Sequence, residues 1–347
     1  MDDRKMKNPA HAFPFGMAAA VAAVTALIPA LFILMAGRNP AIAYASLFAY
    51  TLGTSNGFFE VLTQCIPLTL VGLGVAVAFR AGVFNIGGDG QLLMGAIVSF
   101  ACAPLFADWP EPLGLLAFLA MGFAGGGALG MFVGWLRARF QASEIIVTIV
   151  LNFIVLQLLS WLIRGPLQEP ARTMPWSDYL PQTLLLPNLI EGSRVHYGLI
   201  VALLAVVAVA VWLRKSAFGF KLSAVGQNPY AARYAGLGEG RVIVLAMLAS
   251  GGLAGLAGSV QVAGILERLQ DDFAPGYGQA AIAVALMARL SPAVVPFTAL
   301  LFAVFYVGAG VLQREAGVPF PIVRIIEGVM ILGFLCFEAL STRRKGG

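Results

Sequence analysis

Charge is scarce in this chain of 347 residues: Asp, Glu, Lys and Arg make up 11% of it, where soluble globular proteins carry roughly 25%. With 59% hydrophobic residues, the chain lacks the polar surface that water demands, and a bilayer is the solvent that fits. Histidine and cysteine are scarcer still. Cys65, Cys102 and Cys336 each stand in an apolar segment without paired spacing, and His11 and His196 are the two histidines, which argues against a disulfide framework or a zinc cluster. The phosphate loop G-x-x-x-x-G-K-[ST] is missing, so P-loop ATP hydrolysis would have to be supplied by another subunit and no cofactor is expected on this chain. Neither a Ser/His/Asp constellation nor a histidine-carboxylate cluster is visible, and no catalytic role is expected. Alternation is absent from stretches such as residues 199–211, which speaks against a membrane β-barrel. The basic residues sit mostly in loops between apolar runs and never gather with aromatics on a polar surface, so the net charge of +5 does not point to nucleic acid.

What the sequence has is long apolar runs of the length, roughly 20 residues, that a helix needs to cross a hydrocarbon core. The expected spans are 15–37, 60–79, 84–107, 113–136, 144–163, 197–213, 241–266, 276–290, 292–312 and 321–341, giving an all-α, polytopic transmembrane helix bundle of about ten segments in one domain, 1–347. Arg4, Lys5 and Lys7 precede the first run as in a signal peptide, but the run is too long for one and is read as a retained helix. With the amino terminus in the cytoplasm, most basic loop residues, Arg80, Arg137, Arg139, Arg214, Lys215, Lys221, Arg233 and Arg289 among them, fall on the cytoplasmic side, which predicts both termini there. Segments 84–107 and 276–290 are each broken near their start by glycine, leaving full spans and re-entrant half-helices both open.

Two connections stand apart. Residues 164–196 carry Pro166, Pro170, Pro175, Pro181 and Pro187, too many for a continuous helix, and form an external loop. Residues 214–240 form a cytoplasmic loop in which Asn228 caps a helix of about two turns, opening at Pro229 and closing at Gly236. Gly88-Asp89-Gly90-Gln91 and Gly276-Tyr277-Gly278-Gln279 both read G-x-G-Q and both open an apolar run, five segments apart. An inverted five-plus-five repeat would produce that offset, and so would chance in glycine-rich sequence.

Gly122, Gly126, Gly130 and Gly134 recur every fourth residue and define one helix face for close packing; Gly251, Gly252, Gly255 and Gly258 read the same way. Polar residues inside apolar segments are the candidate translocation path: Asn85, Asp89, Gln91, Asn152, Gln261 and Gln279. An isolated charge at the bilayer centre costs roughly 2.5–3.5 kcal/mol, so Asp89 needs partners. Two readings stand for residues 84–91, an unwound stretch lining a path and a structural turn at its edge. Asn152, Gln261 and the pair Arg324 and Glu327 can equally tie helices together.

Three stretches in order, 84–95 (FNIGGDGQLLMG), 143–152 (SEIIVTIVLN) and 219–237 (GFKLSAVGQNPYAARYAGL), resemble the inner-membrane permeases of bacterial ABC importers for simple sugars and nucleosides, within the branched-chain amino acid/ribose permease superfamily. The resemblance covers about residues 60–331 and includes a glycine-rich stretch at 250–264. It departs from the common pattern in having Asp89 where glutamate is frequent and Gly88 where alanine is frequent. It implies a coupling helix at Asn228, Pro229, Ala232, Arg233, Ala235 and Gly236 that docks on a cytoplasmic ATP-binding subunit, which holds the ATP. It further implies a second permease subunit, often a different chain, an external solute-binding lipoprotein, and a site in the bacterial inner membrane. The function expected is alternating-access import of a neutral polar solute, a nucleoside or simple sugar. An ion-gradient-driven secondary transporter would need a titratable centre, for which Asp89 and Glu327 are the anchors available, and a membrane enzyme acting on lipids would need catalytic groups the chain does not display.

Overall fold

The structure, a computed structural model, describes residues 26–271, 273 and 276–315, and beyond these residues 317–319, 322, 325, 326, 328, 329, 332, 333 and 336. The segment expected at 321–341 lies mostly outside the described residues, as do the start of segment 15–37 and the pair Arg324 and Glu327. Among the described residues the elements are helical: α1 Ala26–Met35, α2 Pro40–Gly53, α3 Ser55–Arg80, α4 Gly88–Cys102, α5 Leu113–Phe140, α6 Glu144–Ile163, α7 Gly198–Lys215, α8 Ala217–Gln227, α9 Pro229–Tyr234, α10 Glu239–Gln261, α11 Tyr277–Met287 and α12 Val295–Arg314. Seven are long and apolar enough to cross a membrane, or eight if α1 and α2, bent by 117°, form one broken span.

The helix α2 departs from the expected spans. Gly37 turns the chain with φ of +72°, Pro40 sets the first helical turn, and the Asn39 side chain accepts the Ala41 N–H at 2.9 Å, so a new helix starts where the sequence reading placed a loop. Segment 276–290, open between a full span and a re-entrant half-helix, holds a short helix. Its helix α11 has 11 residues, about 16 Å of rise, roughly half of a hydrocarbon core.

The described residues fall into two compact units. The smaller is built from the segments flanking Phe48–Gly308, with a core of Ile33, Ala43, Leu47, Ala309, Leu312, Val318 and Ile326. In the larger, α10 is the central helix, packed on α5, α3 and α4. Glycine makes that density possible. A Cβ on Gly126 would sit 2.3 Å from the Gly251 carbonyl oxygen, one on Gly130 2.2 Å from that of Met247, and one on Gly255 2.2 Å from that of Gly122. On another side of α10, a Cβ on Gly258 would lie 2.0 Å from the Leu92 carbonyl oxygen of α4. Within a membrane no hydrophobic force drives helices together, so association rests on such backbone-to-backbone approach.

The proline-rich connection 164–196 holds a short 3-10 turn at Gln182–Leu184 and isolated backbone bridges. It is tied to the end of α10, which closes in a π-helical turn, Val262–Leu266: Leu186 N–H donates to the Ala263 carbonyl (2.8 Å), and Ser177 N–H to that of Leu269 (2.9 Å). The Arg268 guanidinium lies 3.7 Å over the Trp176 ring.

Candidate functional site

The two G-x-G-Q stretches meet in space. Gly88 opens α4 and lies so close to α11 that a Cβ on it would be 2.9 Å from the Gly278 Cα, while one on Gly278 would be 2.4 Å from the Asp89 nitrogen. The half-buried Asp89 accepts the Gly278 N–H at 2.7 Å and also the Gln279 backbone N–H. A carboxylate on the first turn of α4 therefore caps the first turn of α11, a helix that has no side-chain cap of its own. The partner that an acidic group in an apolar segment requires is thus a helix end, not a basic residue.

Asn152 on α6 fixes the same corner. Its Oδ1 accepts the Gly90 N–H (2.8 Å) and its Nδ2 donates to the Ile86 carbonyl (3.0 Å). Beside these groups lies a cavity of about 460 Å³ lined by Ile86, Asp89, Leu93, Ile149, Asn152, Phe153, Leu156, Phe273, Gly276 and Gln279. Of the six path candidates, Asp89, Asn152 and Gln279 reach this cavity and the other three do not.

Asn85 and Gln91 are buried and bonded to each other: Asn85 Nδ2 donates to Gln91 Oε1 (2.8 Å), and Gln91 Nε2 donates to Asn85 Oδ1 (3.1 Å). Asn85 Nδ2 also donates to Ser250 Oγ (2.8 Å), anchoring the turn before α4 to α10. Gln261, 5% exposed, donates through Nε2 to the Tyr277 hydroxyl (3.2 Å), which in turn donates to Gln64 Oε1 (2.5 Å), and the Tyr277 ring stacks on Tyr306. Gln64 and Tyr277 escaped the sequence reading. The signal was there for both: Tyr277 stands inside the second G-x-G-Q, and Gln64 is an amide inside the apolar span 60–79.

The α8–α9 element replaces most of what the sequence reading treated as a loop. Ser216 accepts the Gly219 N–H (3.0 Å) to start α8, and Asn228 accepts the Ala231 N–H (3.0 Å) to start α9, with Pro229 in its first turn. The helix α9 ends at Tyr234, earlier than expected, because Ala235 leaves helical geometry and Gly236 takes φ of +71°. Ala232 is buried, whereas Tyr230 and Tyr234 are 78% and 96% exposed. Arg233 pairs with Glu239 at 2.6 Å. Elsewhere the buried Glu144 of the second motif sits 3.4 Å from Arg137 and accepts the Phe84 N–H, clasping α6 to the end of α5.

At the end of the connection 164–196, His196 is fully buried against Gly198 and Gly264. Its Nδ1 accepts the Gly198 N–H (3.1 Å), and burial lowers its pKa from 6.5 to about 4.

The sequence matches a known family. Residues 57–335 fit the family model described as branched-chain amino acid transport system / permease component, and the chain belongs to that family. It is 38% identical over 318 residues to a glucose ABC transporter permease protein of Haloferax volcanii, covering 89% of this chain and 83% of that one. A nucleoside ABC transporter permease protein of Lactococcus lactis subsp. cremoris is 34% identical over 337 residues, covering 94% and 90%. A guanosine ABC transporter permease protein of Bacillus subtilis is 37% identical over 307 residues, covering 87% and 88%. The chain is thus an integral membrane permease of ATP-binding-cassette transport and not an enzyme, and the family works with an ATP-hydrolysing partner and a solute-binding protein.

Proposed function

We propose that the chain is one of two permease subunits of an importer in the bacterial cytoplasmic membrane, moving a nucleoside or a simple sugar by alternating access. The cargo classes are those named for its relatives. The observation that carries the reading is the junction at Asp89, where α4 and the short α11 begin nose to nose beside a cavity with polar groups. Discontinuous helices whose amino-terminal ends converge are how transporters build solute sites. The path runs past Asp89, Asn152 and Gln279. Asn85, Gln91 and Gln261, whose bonds are mutual or to neighbouring helices, hold the walls.

Ten membrane segments, the short α11 among them, with both termini cytoplasmic fit the basic loops, and the meeting of the two G-x-G-Q stretches suits an inverted five-plus-five repeat within a single permease domain, 1–347. Residues 214–240 then face the cytoplasm. There Asn228, Pro229, Ala232, Arg233, Ala235 and Gly236 form the coupling element for the ATP-binding subunit, which binds the ATP. The loop 164–196 faces outward, toward a solute-binding lipoprotein. The cavity is walled by α6 side chains that are themselves exposed, such as Phe153 at 65%. Polar groups beside such a face are costly against lipid, which supports cover by a second permease chain.

The test is to purify the tagged chain from its native membrane in mild detergent and identify its companions, for the wild type and for Arg233→Glu. The substituted side chain is 70% exposed, and its surface pair contributes no more than about 1 kcal/mol, so the fold is expected to survive. A P-loop ATPase recovered with the wild type and weakened in the variant supports the proposal. A chain that comes out alone, and moves solute in vesicles on an ion gradient without ATP, refutes it.

A further inference from the structure

A second cavity, of about 440 Å³, opens between α8 and the start of α10 and shares no lining residue with the one at Asp89. Two exposed cations line it, Lys221 on α8 and Arg241 on α10. Among the described residues neither side chain has a hydrogen bond or an ion pair. The lining holds no carboxylate, and Glu239, on the first turn of α10, is already paired with Arg233 at 2.6 Å. The cavity therefore presents two positive charges whose counter-charge has to come from outside the chain.

The rest of the wall is apolar. Phe218 lies one turn before Lys221 on the same face of α8. Leu245 lies one turn beyond Arg241 on α10, about 6 Å further along the helix axis. Because α10 runs on as a membrane span, Glu239–Leu266, Arg241 stands at the edge of that span and Leu245, 37% exposed, stands within it. Phe218 stacks on Trp212 at 5.2 Å, an aromatic pair of the kind that sits at headgroup level. From the water inward, the cavity thus passes from cations to alkyl and aromatic groups.

A phosphate group would satisfy the two cations, but a free phosphate would leave Phe218, Leu237 and Leu245 facing water. A lipid supplies both parts in the right order. A zwitterionic lipid brings a cation of its own, which Lys221 and Arg241 repel, whereas basic pockets between membrane helices hold anionic headgroups. Of the residues assigned to coupling, Gly236 alone lines the cavity, and the exposed Tyr230 and Tyr234 do not, so most of the face given to the ATP-binding subunit lies outside it.

We propose that this cavity binds one anionic phospholipid, with its phosphate between Lys221 and Arg241 and the first carbons of its chains along Phe218, Leu237 and Leu245. Bound there, the lipid ties α8 to α10, the helices on either side of α9. The assignment needs only that the chain lies in a membrane, and not which solute it moves or what drives it.

The tagged full chain, with whatever assembles on it, is stripped of lipid in mild detergent and followed by native mass spectrometry with added phosphatidylglycerol, phosphatidylcholine or glycerol phosphate. Three proteins are compared: the wild type, Lys221→Gln/Arg241→Gln, and Arg139→Gln/Lys215→Gln, which removes the same charge from exposed positions outside the cavity. The expected result is one phosphatidylglycerol retained by the wild type and by the control pair, an affinity roughly ten-fold lower in Lys221→Gln/Arg241→Gln, and phosphatidylcholine held weakly by all three. Equal losses in the two double variants overturn the site, because the charge is then read collectively. Phosphatidylglycerol held as tightly by Lys221→Gln/Arg241→Gln as by the wild type overturns it too. So does displacement of phosphatidylglycerol by glycerol phosphate, which would make the ligand a free phosphate. The wild-type preference for phosphatidylglycerol over phosphatidylcholine needs no variant, and its absence refutes the proposal by itself.

Discussion

Placing alanine along the glycine face of α5 should reveal how close α5 and α10 lie, because the cost is set by one measurable gap. An ordinary Cβ contact is about 3.4 Å or longer. At Gly126 and Gly130 the added carbon would meet a carbonyl oxygen of α10 at 2.3 and 2.2 Å, at Gly134 the Val244 Cα at 2.9 Å, and at Gly127 the Leu248 carbonyl oxygen at 3.2 Å. Gly53, at the end of α2, has nothing within 4 Å and serves as the control. Overpacking costs about 1–3 kcal/mol, and where the obstacle is backbone a side chain cannot rotate out of the way. Against this, alanine gains roughly 0.8–1 kcal/mol of helix propensity over glycine. The net effect is a loss of about 1–2 kcal/mol at Gly126 and Gly130, less at Gly134, near balance at Gly127 and a small gain at Gly53. Thermal unfolding in detergent, followed by fluorescence-detected size exclusion, should give midpoints in that order. Equal midpoints for Gly126→Ala and Gly53→Ala would refute the close backbone contact.

Tyr277→Phe removes the hydroxyl that joins Gln64 to Gln261 while keeping the stack on Tyr306. Interhelical hydrogen bonds inside membranes contribute about 0.6 kcal/mol on average and up to about 1.7, so a midpoint drop of a few degrees is expected, and an unchanged midpoint would show that the hydroxyl bridge carries no stability. His196 gives a pH dependence. Its folded pKa, about 4, lies below the ordinary 6.5, so the unfolded chain binds the proton first; stability is full above pH 6.5 and is lost as pH falls toward 4. The whole shift amounts to about 3 kcal/mol, of which about 2 is lost by pH 5. His196→Asn, which keeps an acceptor for the Gly198 N–H and does not titrate here, should lose less stability than wild type between pH 7.5 and pH 5. Parallel losses in the two proteins would rule out His196 as the source.

Spans such as 113–136 and 144–163 were legible in the sequence because length and hydropathy are local properties, and the helices Leu113–Phe140 and Glu144–Ile163 start where those runs start. The glycine face of α5 was legible for the same reason. The start of α9 could be read from Asn228 and Pro229, whereas its end was set by backbone geometry at Ala235 and Gly236 that composition does not reveal. Short α2 was missed because its 14 residues fall below any spanning window, and its start depends on a turn at Gly37 and Asn39. Among the polar residues, the sequence marked which were buried in apolar surroundings but not what they faced. Asn85 and Gln91 spend their amides on each other, and Gln64 joins Tyr277 across 213 positions of chain, a distance over which no periodicity speaks.

The cap on α11 also has a consequence for how the protein is made. Asp89 leaves the ribosome 189 residues before Gly278, the N–H it will accept. Through most of translation the amino-terminal half therefore carries a carboxylate waiting for its donors, and a chain that stops before Tyr277 never supplies them. Such fragments would hold an acidic group in apolar surroundings without the two backbone donors that receive it in the longer chain.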